Sequence, residues 1–135
     1  MKKVYLAARY DRRDELRVYA TIFRRNGIGV TSRWLEEDGD PWDISIGLGG
    51  ENPIEKANTD LQDVQEANAI VFFSEDPHVG VPRGSRHVEF GYAMGLGKEL
   101  IVVGGCENIF HFLPVVKHFS RIEEALDHLV VTNWR

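Results

Sequence analysis

Three short apolar runs constrain this chain most: Lys3 to Ala8, Ala69 to Ser74 and Glu99 to Gly104. Each has the length of a strand and is apolar on both of its alternating faces. Strands buried on both sides belong to parallel sheets, whose crossovers lay helices over each face. Between the runs the spacing turns helical. Leu16, Tyr19, Ala20 and Phe23 repeat at helical intervals, with Asp11 as an N-cap, Asp14 three residues on, and Gly27 as a stop. Ile28 to Trp34 reads as the second strand. Leu35 to Asn52 reads as a long acidic, glycine-rich loop, and Pro53 opens a helix running to about Asn68. Glu75 to Gly84 is a loop with two prolines, followed by a helix from Ser85 to about Gly97. Asn108 to Leu113 reads as a short helical turn, a short strand lies near His118, and a final helix covers Ser120 to about Val130. This order predicts an α/β chain: a single domain over residues 1–135, with a five-stranded parallel sheet and helices on both faces.

Composition narrows the function classes. The 135 residues suffice for one domain with one core. A net charge of −5 argues against a nucleic-acid surface, which needs clustered Lys and Arg. Arg12, Arg13, Arg24 and Arg25 read as the solvated face of one helix. The lone Cys106 permits no intrachain disulfide and fits a cytoplasmic protein. Because a strand pattern starts at Lys3, we expect no signal peptide. No apolar run approaches the ~18 residues of a membrane span.

Ligands of such sheets bind beyond the carboxyl ends of the strands, where strand order reverses. That draws attention to Ala8, Arg9 and Tyr10, to Glu75–Gly84, and to Gly104–Asn108. No Gly-x-Gly-x-x-Gly and no Walker A sequence occurs, so a dinucleotide or nucleotide-triphosphate site of those kinds is not expected. The five histidines form no metal-spaced pair with a carboxylate partner, and no metal is expected. Carboxylates remain. Glu89 lies one turn inside a helix with Val88, Phe90, Ala93 and Met94, where an unpaired charge would be costly. Leu61 and Val64 could face the core while Asp60 and Asp63 lie on other faces, and by itself Asp60 reads as a solvated helix residue. Two carboxylates in one cleft would suit chemistry at an anomeric carbon.

Val4-Tyr5-Leu6-Ala7-Ala8, Asn58-Thr59-Asp60-Leu61, Glu89-Phe90-Gly91-Tyr92-Ala93 with Gly97-Lys98, and Asn108 stand in this order over residues 3–113. The series resembles the motifs of the nucleoside 2-deoxyribosyltransferase family. The resemblance implies a flavodoxin-like fold and cofactor-free transfer of 2-deoxyribose between nucleobases. It implies Glu89 as the nucleophile at the anomeric carbon, Tyr5 as the hydroxyl that orients it, and Asp60 as the acid beside the departing base. Tyr10 stands where an aromatic residue stacks on the base. Asn108 resembles the asparagine that a neighbouring subunit offers to the sugar, which implies a homodimer or dimer-built oligomer. The chain departs from the pattern at Arg83, where the family often carries an aspartate that meets the base. A related group in the superfamily hydrolyses 2′-deoxynucleoside 5′-monophosphates. Gly84, Ser85 and Arg86, at a helix N-terminus, would suit a phosphate, and surface or interface packing is the competing reading of Arg86 and His87. A non-catalytic nucleotide-binding module on the same fold is a further alternative. The expected partners are therefore a small deoxynucleoside or deoxynucleotide and a nucleobase, with neither nucleic acid nor membrane.

Overall fold

The computed structural model describes residues 1–37, 53–76 and 84–133. Among them, the strands are β1 (Lys3–Ala7), β2 (Gly29–Val30), β3 (Ala69–Phe73), β4 (Glu99–Val103) and β5 (Val116–Phe119). The helices are α1 (Arg13–Arg25), α2 (Pro53–Glu66), α3 (Ser85–Gly95) and α4 (Ile122–Asn133). The five strands form one sheet in the order β2-β1-β3-β4-β5, and every pairing is parallel. Fold class and element order agree with the sequence reading.

Burial explains the architecture. Val4, Tyr5, Leu6 and Ala7 of β1 are inaccessible to solvent, as are Ala69 to Phe72 of β3. The register sets Tyr5 beside Ile70 and Ala7 beside Phe72, so these four side chains share one face. On that face Phe72 meets Phe90 of α3 edge-on, with ring centroids 5.4 Å apart. The next residue, Phe73, points the other way and stacks on Tyr19 of α1 at 5.5 Å. Thus α1 covers one face, while α3 and its neighbour α2 cover the other.

Three local expectations change. The second strand pairs over Gly29–Val30 alone, not to Trp34. Beyond it, side chains take over from the backbone ladder: Ser32 Oγ accepts the Leu6 N–H at 2.7 Å, and Trp34 Nε1–H donates to the Leu6 carbonyl at 2.9 Å. Arg33–Glu36 then forms a 3-10 turn that buries Trp34 and Leu35, so Leu35 belongs to the core rather than to a loop. The remainder of that expected loop, 38–52, lies outside the described residues, as do 77–83 with Arg83. Asp11 does not cap α1. A 3-10 turn at Tyr10–Arg12 feeds directly into the helix, and Asp11 instead accepts from Arg9 at 3.1 Å.

Candidate active site

The strand order reverses between β1 and β3, since β1 connects to β2 on one side and the chain then returns to β3 on the other. The two buried carboxylic groups of interest lie on the two helices that cover this switch point. α3 begins at Gly84, whose φ of +84° is a left-handed conformation that favours glycine. The helix then carries Glu89, 8% exposed, against the sheet. From mid-β1, the fully buried Tyr5 donates its hydroxyl proton to Glu89 Oε2. Burial, reinforced by the charge of Glu89, pushes the Tyr5 phenol well above its ordinary range, so it remains a donor.

Asp60 approaches from α2. It is half-buried, and its Oδ1 is shielded from solvent without a hydrogen-bond partner among the described residues. The Glu89 carboxyl is raised to about 8, chiefly by burial, with Asp60 and Asp63 adding to the rise and the Tyr5 hydrogen bond opposing it. Asp60 is likewise raised to about 7, chiefly by burial, with Glu37 and Asp63 adding to the rise and Lys56 and Arg33 opposing it. Two carboxyl groups in electrostatic contact titrate as a couple, so at neutral pH this pair holds a shared proton. An ionised Glu89 requires that proton on Asp60. The Tyr5 hydroxyl favours that arrangement, and positive charge developing beside Glu89 would favour it further. Such a couple can supply one nucleophilic carboxylate and one proton donor.

The expectation that Asp63 lies away from the core fails. It is 1% exposed and ion-paired to Arg33 at 2.8 Å. The Asp60/Asp63 spacing of three residues places both on one helical face, a signal that was present in the sequence. The partner of Asp63, Arg33, thirty residues away, left none.

The other expected site residues fall into two groups. Ala8, Arg9 and Tyr10 follow β1 at its carboxyl end. The Tyr10 ring lies 5.9 Å from that of Trp34, and the Arg13 guanidinium sits over the Tyr10 ring, 4.8 Å from its centroid. Gly84, Ser85 and Arg86 open α3. Ser85 is exposed, but Arg86 is 4% exposed, bonded to Glu107 and placed 5.5 Å over Phe72. Glu107 also accepts the Glu75 N–H at 3.1 Å. Asn108 caps the 3-10 turn Ile109–Phe112, its Oδ1 accepting from Phe110 N at 2.9 Å, and its Nδ2 lies 3.3 Å from His87 Nδ1. Tyr5, Glu89 and Asp60 are thus brought together, and Asn108 sits at the first turn of α3. Among the described residues no group of three or more His, Cys, Asp and Glu could hold a metal ion. No described helix is long and apolar enough to cross a membrane.

No family model and no curated protein matches the sequence. Solved structures do match it. A Clostridium botulinum CMP N-glycosidase, BcmB, aligns with a TM-score of 0.60 and 21% identity, over 96% of this chain and 99% of its own. A 2-deoxyribosyltransferase from Leishmania mexicana aligns with a TM-score of 0.67 and 14% identity, over 97% and 98%. The chain shares their fold. That agrees with the flavodoxin-like expectation.

Proposed function

We propose that this chain cleaves the N-glycosidic bond of 2′-deoxynucleosides and passes the 2-deoxyribosyl group to a second nucleobase through an ester with Glu89. The observation that carries the reading is the buried Glu89 carboxyl, with the Tyr5 hydroxyl on one oxygen and Asp60 within electrostatic reach. Ionised Glu89 attacks C1′. The C1′–N bond breaks, its electron pair goes to the base, and the Asp60 proton follows directly or through a water. The base then leaves and C1′ is esterified to Glu89. An incoming base attacks C1′, loses its proton to Asp60 and frees Glu89. Two displacements retain the β configuration. Water in place of the second base gives hydrolysis. The likeness to a 2-deoxyribosyltransferase and to a CMP N-glycosidase supports chemistry at the base–sugar bond.

A 5′-monophosphate substrate is the second reading, favoured by the glycosidase likeness and by Arg86 at the start of α3. Arg86 is already spent on Glu107, and a phosphate would have to displace that carboxylate. This supports the nucleoside. We also propose a cytoplasmic homodimer whose subunits share sites through Asn108. The exposed Ile109, Phe110, Phe112 and Val115, from 55% to 76% accessible, supply an apolar surface of the kind that partners cover.

The test is chromatography after incubation with several deoxynucleosides, and with their 5′-monophosphates, each with and without a free acceptor base. A new deoxynucleoside carrying the acceptor base is the expected product. Free base from the monophosphates alone would favour the second reading, and tight binding without base release would refute catalysis.

A further inference from the structure

Asp63 has no place in the mechanism above, yet it is one of the most buried charged groups of the described chain. Its Oδ2 accepts the main-chain N–H of Arg33 at 2.9 Å, and its Oδ1 accepts Nε–H of the same residue at 2.8 Å. One turn of α2 separates it from Asp60. Its own carbonyl accepts the Thr31 hydroxyl at 2.7 Å, and Arg33 also reaches Gln62 at 3.0 Å. These bonds tie α2 to the segment after β2. That segment in turn grips Leu6, next to Tyr5, through Ser32 and Trp34. Asp60, Asp63, Tyr5 and the Tyr10–Trp34 wall therefore hang on one fastening.

We propose that Asp63, clamped by Arg33, is a positioning residue for the cleavage reaction: it locks α2 in the register that aims Asp60 at Glu89, and its charge helps to keep one proton on that carboxyl couple. The inference rests on the cleavage reading. Several described groups set the field at the couple. α2 contributes Lys56 and Asp63, the segment after β2 contributes Arg33 and Glu37, and β1 contributes Tyr5. Lys56 and Glu37 pair with each other at 3.4 Å, so their charges largely offset. Asp63 is buried while the Arg33 side chain is 56% exposed, so water screens the arginine more than the aspartate. The negative end of the clamp dominates inside the site.

The test uses two variants. Asp63→Asn keeps the shape and one acceptor oxygen but removes the charge and turns the other acceptor into an amide donor facing an Arg33 N–H. Arg33→Gln, at a half-exposed side chain, removes the opposing charge. Carboxyl-carbon NMR follows the titration of Glu89 and Asp60 in protein labelled at Asp and Glu, alongside the pH–rate profile of base release. In Asp63→Asn the midpoints of the couple should fall by about 0.5–1 pH unit, and the alkaline limb of the rate should move with them. In Arg33→Gln both should rise. If Asp63→Asn does not fold, Arg33→Gln alone decides the matter. Folded variants whose midpoints coincide with wild type overturn the inference, whatever happens to kcat. Shifted midpoints in a protein that releases no base would overturn the cleavage reading and leave the electrostatic role of Asp63 standing.

Discussion

Replacing Glu89 by glutamine should abolish base release and make the protein more stable, and the gain should grow with pH. The glutamine keeps an acceptor for the Tyr5 hydroxyl and removes the charge. In the folded protein the Glu89 carboxyl titrates near 8, against an ordinary 4.5 that the unfolded chain approaches. A carboxyl raised on folding stabilises the fold relative to its ionised form below the unfolded value, and that advantage is lost as pH rises through the folded one. At about 1.4 kcal/mol per pH unit of displacement, forcing the charge into this site costs up to about 5 kcal/mol above pH 8. Asp60 competes for the same proton, so about 2–4 kcal/mol is the realisable part. Near pH 5 the folded side chain is neutral and the cost falls to under about 1 kcal/mol. A chain of 135 residues gains about 3–4 °C in Tm per kcal/mol. The variant should therefore melt roughly 7–14 °C above wild type at pH 9 and within a few degrees of it at pH 5. Melting curves of both proteins from pH 5 to 9, with base release measured on the same samples, make the test. Parallel Tm profiles would show that Glu89 carries no costly charge, and near wild-type turnover would remove it from the reaction.

Other outcomes follow from the same geometry. Asp60→Asn should slow base release by ~10²–10⁴ and flatten the alkaline limb of the pH–rate profile, with substrate binding nearly intact; unchanged rates for every base would end its role as the acid. Tyr5→Phe removes a buried donor to Glu89 and should lower kcat while sparing KM, with the Glu89 titration moved to still higher pH; superimposable profiles would refute an orienting role. Subunit exchange between Glu89→Ala and Asn108→Ala chains should restore part of the activity, because one mixed site would carry neither defect. No recovery after demonstrated exchange would mean that each site is built within one chain.

The fold was legible because its signals are local. Strands buried on both faces must be apolar on both faces, and that requirement writes itself into Val4–Ala7 and Ala69–Phe73 wherever they lie in the chain. The nucleophile candidate was legible for the converse reason: a carboxylate among Val88, Phe90 and Ala93 contradicts its surroundings. The short second strand was not legible, because its ladder is completed by the Ser32 hydroxyl and the Trp34 indole, side-chain bonds that no propensity encodes. Nor was the burial of Asp60 and Asp63, since on an isolated α2 both would be solvated. The packing of α2 against α3 and the segment after β2 desolvates them, gives Asp63 its Arg33 and leaves an Asp60 oxygen without a partner among the described residues. The sequence by itself determined which backbone could form and which carboxylate was out of place. The tertiary structure alone decided which charges share one dry space, because desolvation and Coulomb energy depend on distance through space and not along the chain.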